Sequence, residues 1–170
     1  MKRDKKYTIA FKLNKLTEDQ IHKIRVYMGS TRFVYNHILS EYLTSKKITP
    51  INKAEEKVDE LIKIYPFLKS VDKTLLTSYA ISAIKSVYAY EKSVKKFKLV
   101  YKSKKRTKLL KFPVITKDLL NEVKDMGIDI SRYSDKIIYI SIQSVTRDQY
   151  YCYITVSRTN SNNEHEKATA

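Results

Sequence analysis

The chain opens on an alternation. In Tyr7-Thr8-Ile9-Ala10-Phe11-Lys12-Leu13 the large apolar side chains fall on every second residue, the period of a strand with one buried face. Thr17-Glu18-Asp19-Gln20 then has the Thr-x-x-Gln form of a capping box with two acids in the first turn, and Ile21, Ile24 and Met28 follow at helical spacing. A helix is predicted to start at about residue 18. Gly29-Ser30 is a place for a kink, yet Phe33, Val34, Ile38, Leu39 and Tyr42 resume a period near 3.6, which carries the helix to about Ser45. Lys46 to Pro50 reads as a turn. Val58, Leu61, Ile62 and Tyr65 predict a short amphipathic helix stopped by Pro66. Asp72 then caps a longer one, whose stripe from Leu75 through Ala80, Ile84 and Tyr88 runs to about Lys95.

Past that point the pattern changes. Lys117 to Met126 is predicted helical with Gly127 as its C-terminal cap, and Ile128 to Ser134 is irregular. Ile137 to Val145 and Tyr150 to Ser157 are rich in β-branched and aromatic residues, so they read as strands. Thr146-Arg147-Asp148-Gln149 is predicted as a four-residue hairpin connection between them. In the last strand Tyr151 and Tyr153 share one face, expected to be core, and Tyr150 shares the other with Cys152. Thr159 to Ala170 is polar and predicted disordered. A lone N-terminal strand cannot bury its face, so it is expected to join the late hairpin in one small sheet or barrel, interrupted by an inserted helical bundle: an α+β fold. The expected division is a first strand over 1–16, a helical lobe over 17–96, the remaining strands with a basic segment over 97–158, and a tail over 159–170.

Charge narrows the partner. The chain has 170 residues, with 34 Lys and Arg against 18 Asp and Glu, for a formal net charge of +16. That excess calls for a polyanion. No stretch approaches the roughly 20 apolar residues of a membrane span, so nucleic acid is expected, without membrane. Cys152 is the only cysteine, which excludes an internal disulfide and a thiolate metal cage and points to a reducing, cytoplasmic setting. Met1 to Lys6 runs into the first strand without the apolar core of a signal peptide.

The strongest charge feature is the stretch from Lys92 to Lys111. It holds ten basic residues, Lys92, Lys95, Lys96, Lys98, Lys102, Lys104, Lys105, Arg106, Lys108 and Lys111, and no acid. Phe97, Leu99, Val100 and Tyr101 are set among them. The pattern fits a surface that tracks phosphates and stacks bases, with a solvated loop as the plainer alternative. Lys73 opens a helix whose free amides and positive dipole end favour an anion, with ordinary helix-start solubility as the other reading. Arg32, Asn36 and His37 lie on the first helix, where bracing of the fold is the favoured role and groove reading the other. His22 and His165 have no partners at metal spacing. With two glycines in the whole chain no P-loop can form, and Asp72, Asp118 and Glu122 are scattered carboxylates. No catalytic constellation, metal site or cofactor is expected.

Several blocks, in order, resemble the N-terminal half of the TnpB proteins, transposon-encoded RNA-guided nucleases related to type V CRISPR effectors. The segment from Gly29 through Arg32-Phe33-Val34-Tyr35-Asn36-His37 to Leu39 resembles that family's G-x-x-R-F-V-Y-N-H-x-L block. Tyr65-Pro66-Phe67-Leu68-Lys69-Ser70-Val71-Asp72 resembles its P-x-L-x-x-V-D block, and Ile140 to Ile154 its late hairpin. The resemblance implies an OB-like, wedge-type barrel holding a helical recognition lobe, with a helical start once described as helix-turn-helix. It also implies that a RuvC nuclease domain would follow, which this sequence does not include. By position, Thr49 to Lys53, among them Asn52 and Lys53, and Lys73, Thr74 and Thr77 match the family's DNA-motif readers. The family's F-P-x-F-K-x-K-K segment is replaced by Phe97 to Lys111. The function implied is a non-catalytic module binding DNA or structured guide-type RNA, as a repressor, a competitor or half of a split nuclease. A separate RuvC-like nuclease, a polymerase or a CRISPR-type effector are the candidate protein partners. The alternative is a protein-interaction module docking on such a polymerase or effector complex.

Overall fold

The computed structural model describes residues 5–94, 98–103, 109–112, 116–130, 137–146 and 149–158. The predicted disordered tail, the hairpin residues Arg147 and Asp148, and the end of the predicted irregular stretch after Ile130 lie outside them. The elements run β1 (Lys5–Leu13), α1 (Glu18–Ser45), α2 (Ala54–Ile64), α3 (Lys73–Lys92), β2 (Leu109–Phe112), α4 (Lys117–Asp125), β3 (Ile137–Thr146) and β4 (Gln149–Arg158). Two 3₁₀ turns, Ile51–Lys53 and Pro66–Ser70, precede and follow α2. The fold is therefore α+β: among the described residues one strand precedes α1, α2 and α3 and three follow them, with α4 between β2 and β3. Residues 1–21 with 109–170 form one compact unit and residues 22–108 another, the division falling within α1.

The first unit is built on an antiparallel four-stranded sheet in the order β1-β4-β3-β2. β1 pairs with β4 from Lys5↔Arg158 to Leu13↔Tyr150, and β4 with β3 as far as Thr146↔Gln149. The strands thus reach further than expected, and only residues 147–148 separate them. β2 was not foreseen as a strand. At four residues it is too short for a period to show, and its Lys111 reads as part of the basic run, but Leu110 and Phe112 are fully buried.

Pairing sorts the side chains by face. Leu13, Leu110, Phe112, Ile140, Ile142, Tyr150, Cys152, Ile154 and Val156 are buried on one side. The expectation that Tyr151 and Tyr153 are core is therefore reversed. Tyr150 is 2% exposed and Cys152 fully buried, whereas Tyr151 and Tyr153 are part-exposed on the opposite face. Tyrosine is amphipathic enough to suit either side, so Cys152, Ile154 and Val156, which share a parity with Tyr150, decide the matter.

α4 ends as predicted. Thr116 accepts from Leu119 N at its start, and at its end Gly127 N donates to Lys124 O and Ile128 N to Val123 O, the paired bonds of a Schellman motif. Gly127 has φ +88°, and buried Ile128 and Val123 supply the accompanying apolar contact. A Cβ on Gly127 would lie 2.9 Å from the Gln20 side chain. That side chain is committed to the capping box of α1, accepting from Thr17 N at 2.9 Å while Gln20 N donates to Thr17 Oγ1 at 3.1 Å.

The second unit is a set of helices with two 3₁₀ turns. α1 runs unbroken through Gly29, since Met28, Ser30, Thr31 and Val34 around it are buried. Its inner face (Ile24, Tyr27, Val34, Ile38, Leu39, Tyr42) joins Val58 and Leu61 of α2 and the Leu75, Leu76, Ala80, Ala83 and Ile84 face of α3 among the core residues of this unit. α1 stops with Lys46 in the left-handed region at φ 58°, its amide donating to Tyr42 O. Asp72 caps α3, accepting from Thr74 N at 2.8 Å and Leu75 N at 3.3 Å, and α3 closes at Lys92, one turn before the predicted end.

Two outcomes are expected. Gly127→Ala meets both the positive φ and the crowded Gln20, and should lower stability by about 1–3 kcal/mol in a denaturant titration. Burial pushes the Cys152 thiol up to about 12 from 9.0. The unfolded chain ionises first, so this group's contribution to stability is complete below about pH 9 and declines as the pH rises from there toward 12. Thiol reagents in neutral buffer should therefore label Cys152 only at the rate at which its unit opens.

Candidate nucleic-acid interface

The positive charge is unevenly divided. Residues 22–108 carry 20 Lys and Arg against 7 Asp and Glu, while the sheet unit, with 14 against 11, is close to balance. Within 22–108 the acids are engaged. Lys73 Nζ lies 3.0 Å from Glu55 and 2.9 Å from Asp59. Lys53 meets Glu56 at 3.4 Å, and Lys57 pairs with Glu41 and with Glu60. His37 Nε2 is 3.3 Å from Glu41, and Asp72 is bound to the amides it caps. α2 is thus the acidic element, and it draws Lys53, Lys57 and Lys73 to itself.

An anion site was one of two readings at the start of α3, but Asp72 takes two of the amides, and Lys73 is held between two carboxylates that raise its pKa through the hydrogen bonds it donates to Asp59 and then to Glu55. The chain's own acids thus pair with the Lys73 ammonium. Thr77 lies part-exposed on α3, and Asn52 and Lys53 are exposed in the 3₁₀ turn Ile51–Lys53.

The basic stretch is anchored where it is described. The Asn36 side chain donates through Nδ2 to Lys102 O and accepts at Oδ1 from Lys102 N, both at 2.7 Å, so one amide holds the backbone of Lys102 as a neighbouring strand would. Lys102 Nζ lies 4.6 Å from the centroid of the Tyr35 ring, and burial lowers its pKa. Tyr35 is itself fixed by a 3.0 Å hydrogen bond to Ser86 of α3. Asn36 therefore braces the fold, and it does so on the basic segment itself. The sequence could not show this pairing, because the partner is a backbone 66 residues away.

The clamp leaves Lys98 exposed at an open cleft lined by Leu43, Tyr90, Leu99, Val100, Tyr101 and Ser103. Val100 and Tyr101 are 48% and 46% exposed. Lys92 is exposed at the end of α3, and Lys46, Lys47, Lys69 and Lys85 are exposed elsewhere in the unit, without ion pairs among the described residues. Lys111 belongs to the sheet unit, on β2. Arg32 is part-exposed on α1 with its guanidinium folded along the helix, its Nη2 3.7 Å from where a Cβ on Gly29 would be. Lys95, Lys96, Lys104, Lys105, Arg106 and Lys108 lie outside the described residues, as does Phe97. Among the described residues no group of acids, histidines or cysteines is arranged to hold a metal, and no helix is long and apolar enough to cross a membrane.

Residues 1–45 match the family model for the helix-turn-helix domain of IS605 OrfB, a region related to TnpB-type transposases. No curated protein matches the chain. The matched domain type supports DNA binding. In this chain the matched residues form β1, the capping-box connection and the whole of α1, so the segment is a strand followed by one continuous helix. Its Arg32-to-His37 stretch carries the residues that clamp the basic segment.

The clamp has a measurable consequence. Asn36→Ala removes both bonds to Lys102 and should cost about 1–3 kcal/mol. The Lys102 amide should also lose most of its protection in hydrogen exchange, while protection at the centre of α3 is kept.

Proposed function

We propose that this chain is a nucleic-acid-binding module of TnpB-related type that performs no chemistry itself. Its ligand is DNA or a structured, guide-type RNA, and its role is that of a repressor, a competitor for guide or target, or the binding half of a split RNA-guided nuclease. The observation that carries this reading is the charge imbalance of residues 22–108, where the acids are already paired and exposed lysines remain in excess. The family match over residues 1–45 supports the same class of ligand.

In this reading Lys92 and Lys98 meet phosphates, together with the lysines and arginine between Lys95 and Lys108, and the cleft beside Lys98 offers Tyr90 and Tyr101 to a base. Backbone neutralisation supplies affinity and steers encounter. Base readout, assigned by resemblance to Asn52, Lys53 and Thr77, is limited, and Arg32 is an additional candidate contact on α1. Lys73 contributes less than its position at a helix start suggests, because Glu55 and Asp59 compete for it.

A second reading, a protein-interaction module, is favoured by one observation: Phe67 is 52% and Ile64 64% exposed, with Phe67 stacked edge-on against Phe33. Capture of a polymerase or an effector complex that survives complete nuclease digestion would select that reading.

The electrostatic account has a direct test. A protein engaging about six phosphates loses on the order of a thousandfold in affinity between about 50 and 200 mM salt. The full chain should show a slope of that kind in filter binding, and Lys92→Glu with Lys98→Glu should make it shallower. Lys73→Gln should alter affinity by less than about threefold. An affinity indifferent to salt would remove the basis of the proposal.

A further inference from the structure

The outer face of the sheet carries chemistry that the basic segment does not account for. The four strands contain no Asp or Glu. On the face opposite the core, β1 presents Lys6, Thr8, Ala10 and Lys12, paired in turn with Ser157, Thr155, Tyr153 and Tyr151 of β4. β3 adds Tyr139, Ser141 and Gln143, and β2 adds Lys111. Tyr139, Tyr151 and Tyr153 are all part-exposed.

The rings are held in a particular way. Tyr153 lies between Ala10 on one neighbouring strand and Ser141 on the other, so neither flank is crowded. Its hydroxyl donates to Gln143 Oε1 at 3.0 Å, two residues along β3 from its own partner. The phenol is thereby drawn across the sheet toward β3 and stays part-exposed. Tyr151, next along β4 on the same side, sits between Lys12 and Gln143. Two rings on alternate residues of a strand are about 6.8 Å apart, wider than the roughly 3.4 Å between stacked bases, so they suit bases splayed from a single strand. Tyr139 does something else. Lys111 Nζ lies 4.7 Å from its centroid, so this ring's face is taken by a cation, and the pair places an ammonium beside the platform.

We infer that the outer sheet face is a binding platform for a single strand of nucleic acid, with Tyr151 and Tyr153 stacking on unpaired bases and Lys12 and Lys111 contacting phosphates. Part-exposed rings on an acid-free sheet with lysines at both edges match the two requirements of such a ligand, a π-face for each base and cations for the backbone. Duplex meets the second requirement alone, because its bases are already stacked. The inference rests on the proposed nucleic-acid function and adds to it a second surface, on the other unit of the chain.

The test uses the full chain with fluorescent oligo-dT and oligo-rU of about 12 residues, and a duplex of equal length, read by anisotropy at one salt concentration. Tyr151→Leu combined with Tyr153→Leu should weaken both single strands by about tenfold or more and leave duplex binding within about twofold. Tyr153→Phe keeps the ring and should stay within about threefold of the parent. The tighter of dT and rU identifies the strand carried. A photo-reactive 5-iodouracil oligonucleotide on the unmodified chain should crosslink to β4, a result that does not depend on how the variants fold. Equal losses on single strand and duplex, no loss on either, or crosslinks confined to residues 92–108 would overturn the platform and leave the broader function standing. Failure of the parent chain to bind any of the three ligands would overturn both.

Discussion

Everything in the sheet unit depends on β1 finding β4. The pairing joins residues 5–13 to residues 150–158, so nearly the whole sequence must be looped out before the first cross-strand bond forms. Loop closure costs grow only slowly with length, but they fall due before any contact offsets them. β3 and β4 can assemble locally as a hairpin. β1 is an edge that arrives from far away, and its inward Leu13 and part-buried Ile9 and Phe11 contribute to the core only after docking. The helical unit, built from neighbours in sequence, has no comparable constraint.

That division of labour extends to charge. In the helices, acids gather on α2 and hold the nearest lysines, which leaves a defined subset of cations facing solvent. In the sheet, charge is nearly balanced overall but excluded from the strands in its negative form. One unit therefore offers density of positive charge, and the other offers aromatic surface with a few well-placed cations. The two are different answers to the same kind of ligand, the first suited to phosphates in any conformation and the second to bases that have been exposed.

Much of this was legible from residues alone. The Thr17–Gln20 box, the Asp72 cap and the Gly127 stop are local devices, each specified within a few residues, and each was located correctly. The α+β order followed from the change of period along the chain. What escaped was non-local. β2 is too short to show an alternation. The sidedness of Tyr150, Tyr151 and Tyr153 depends on which parity of β4 faces the core, and that is fixed by a register shared with β1 and β3. The role of Asn36 depends on a backbone segment that no pattern near it announces, and the capture of Lys73 on side chains one helix away. The charge run was conspicuous in sequence, but which of its members face outward was not. Lys102, central to the run, turns out to be its fastening.

The register also fixes how the chain enters and leaves. Because Lys5 stands opposite Arg158, the polypeptide passes into the sheet and out of it at the same corner, some 5 Å apart. A segment joined before residue 5 and another joined after residue 158 would start side by side, like two leads soldered to one terminal. Whatever cargo either one carried would be presented from that single corner.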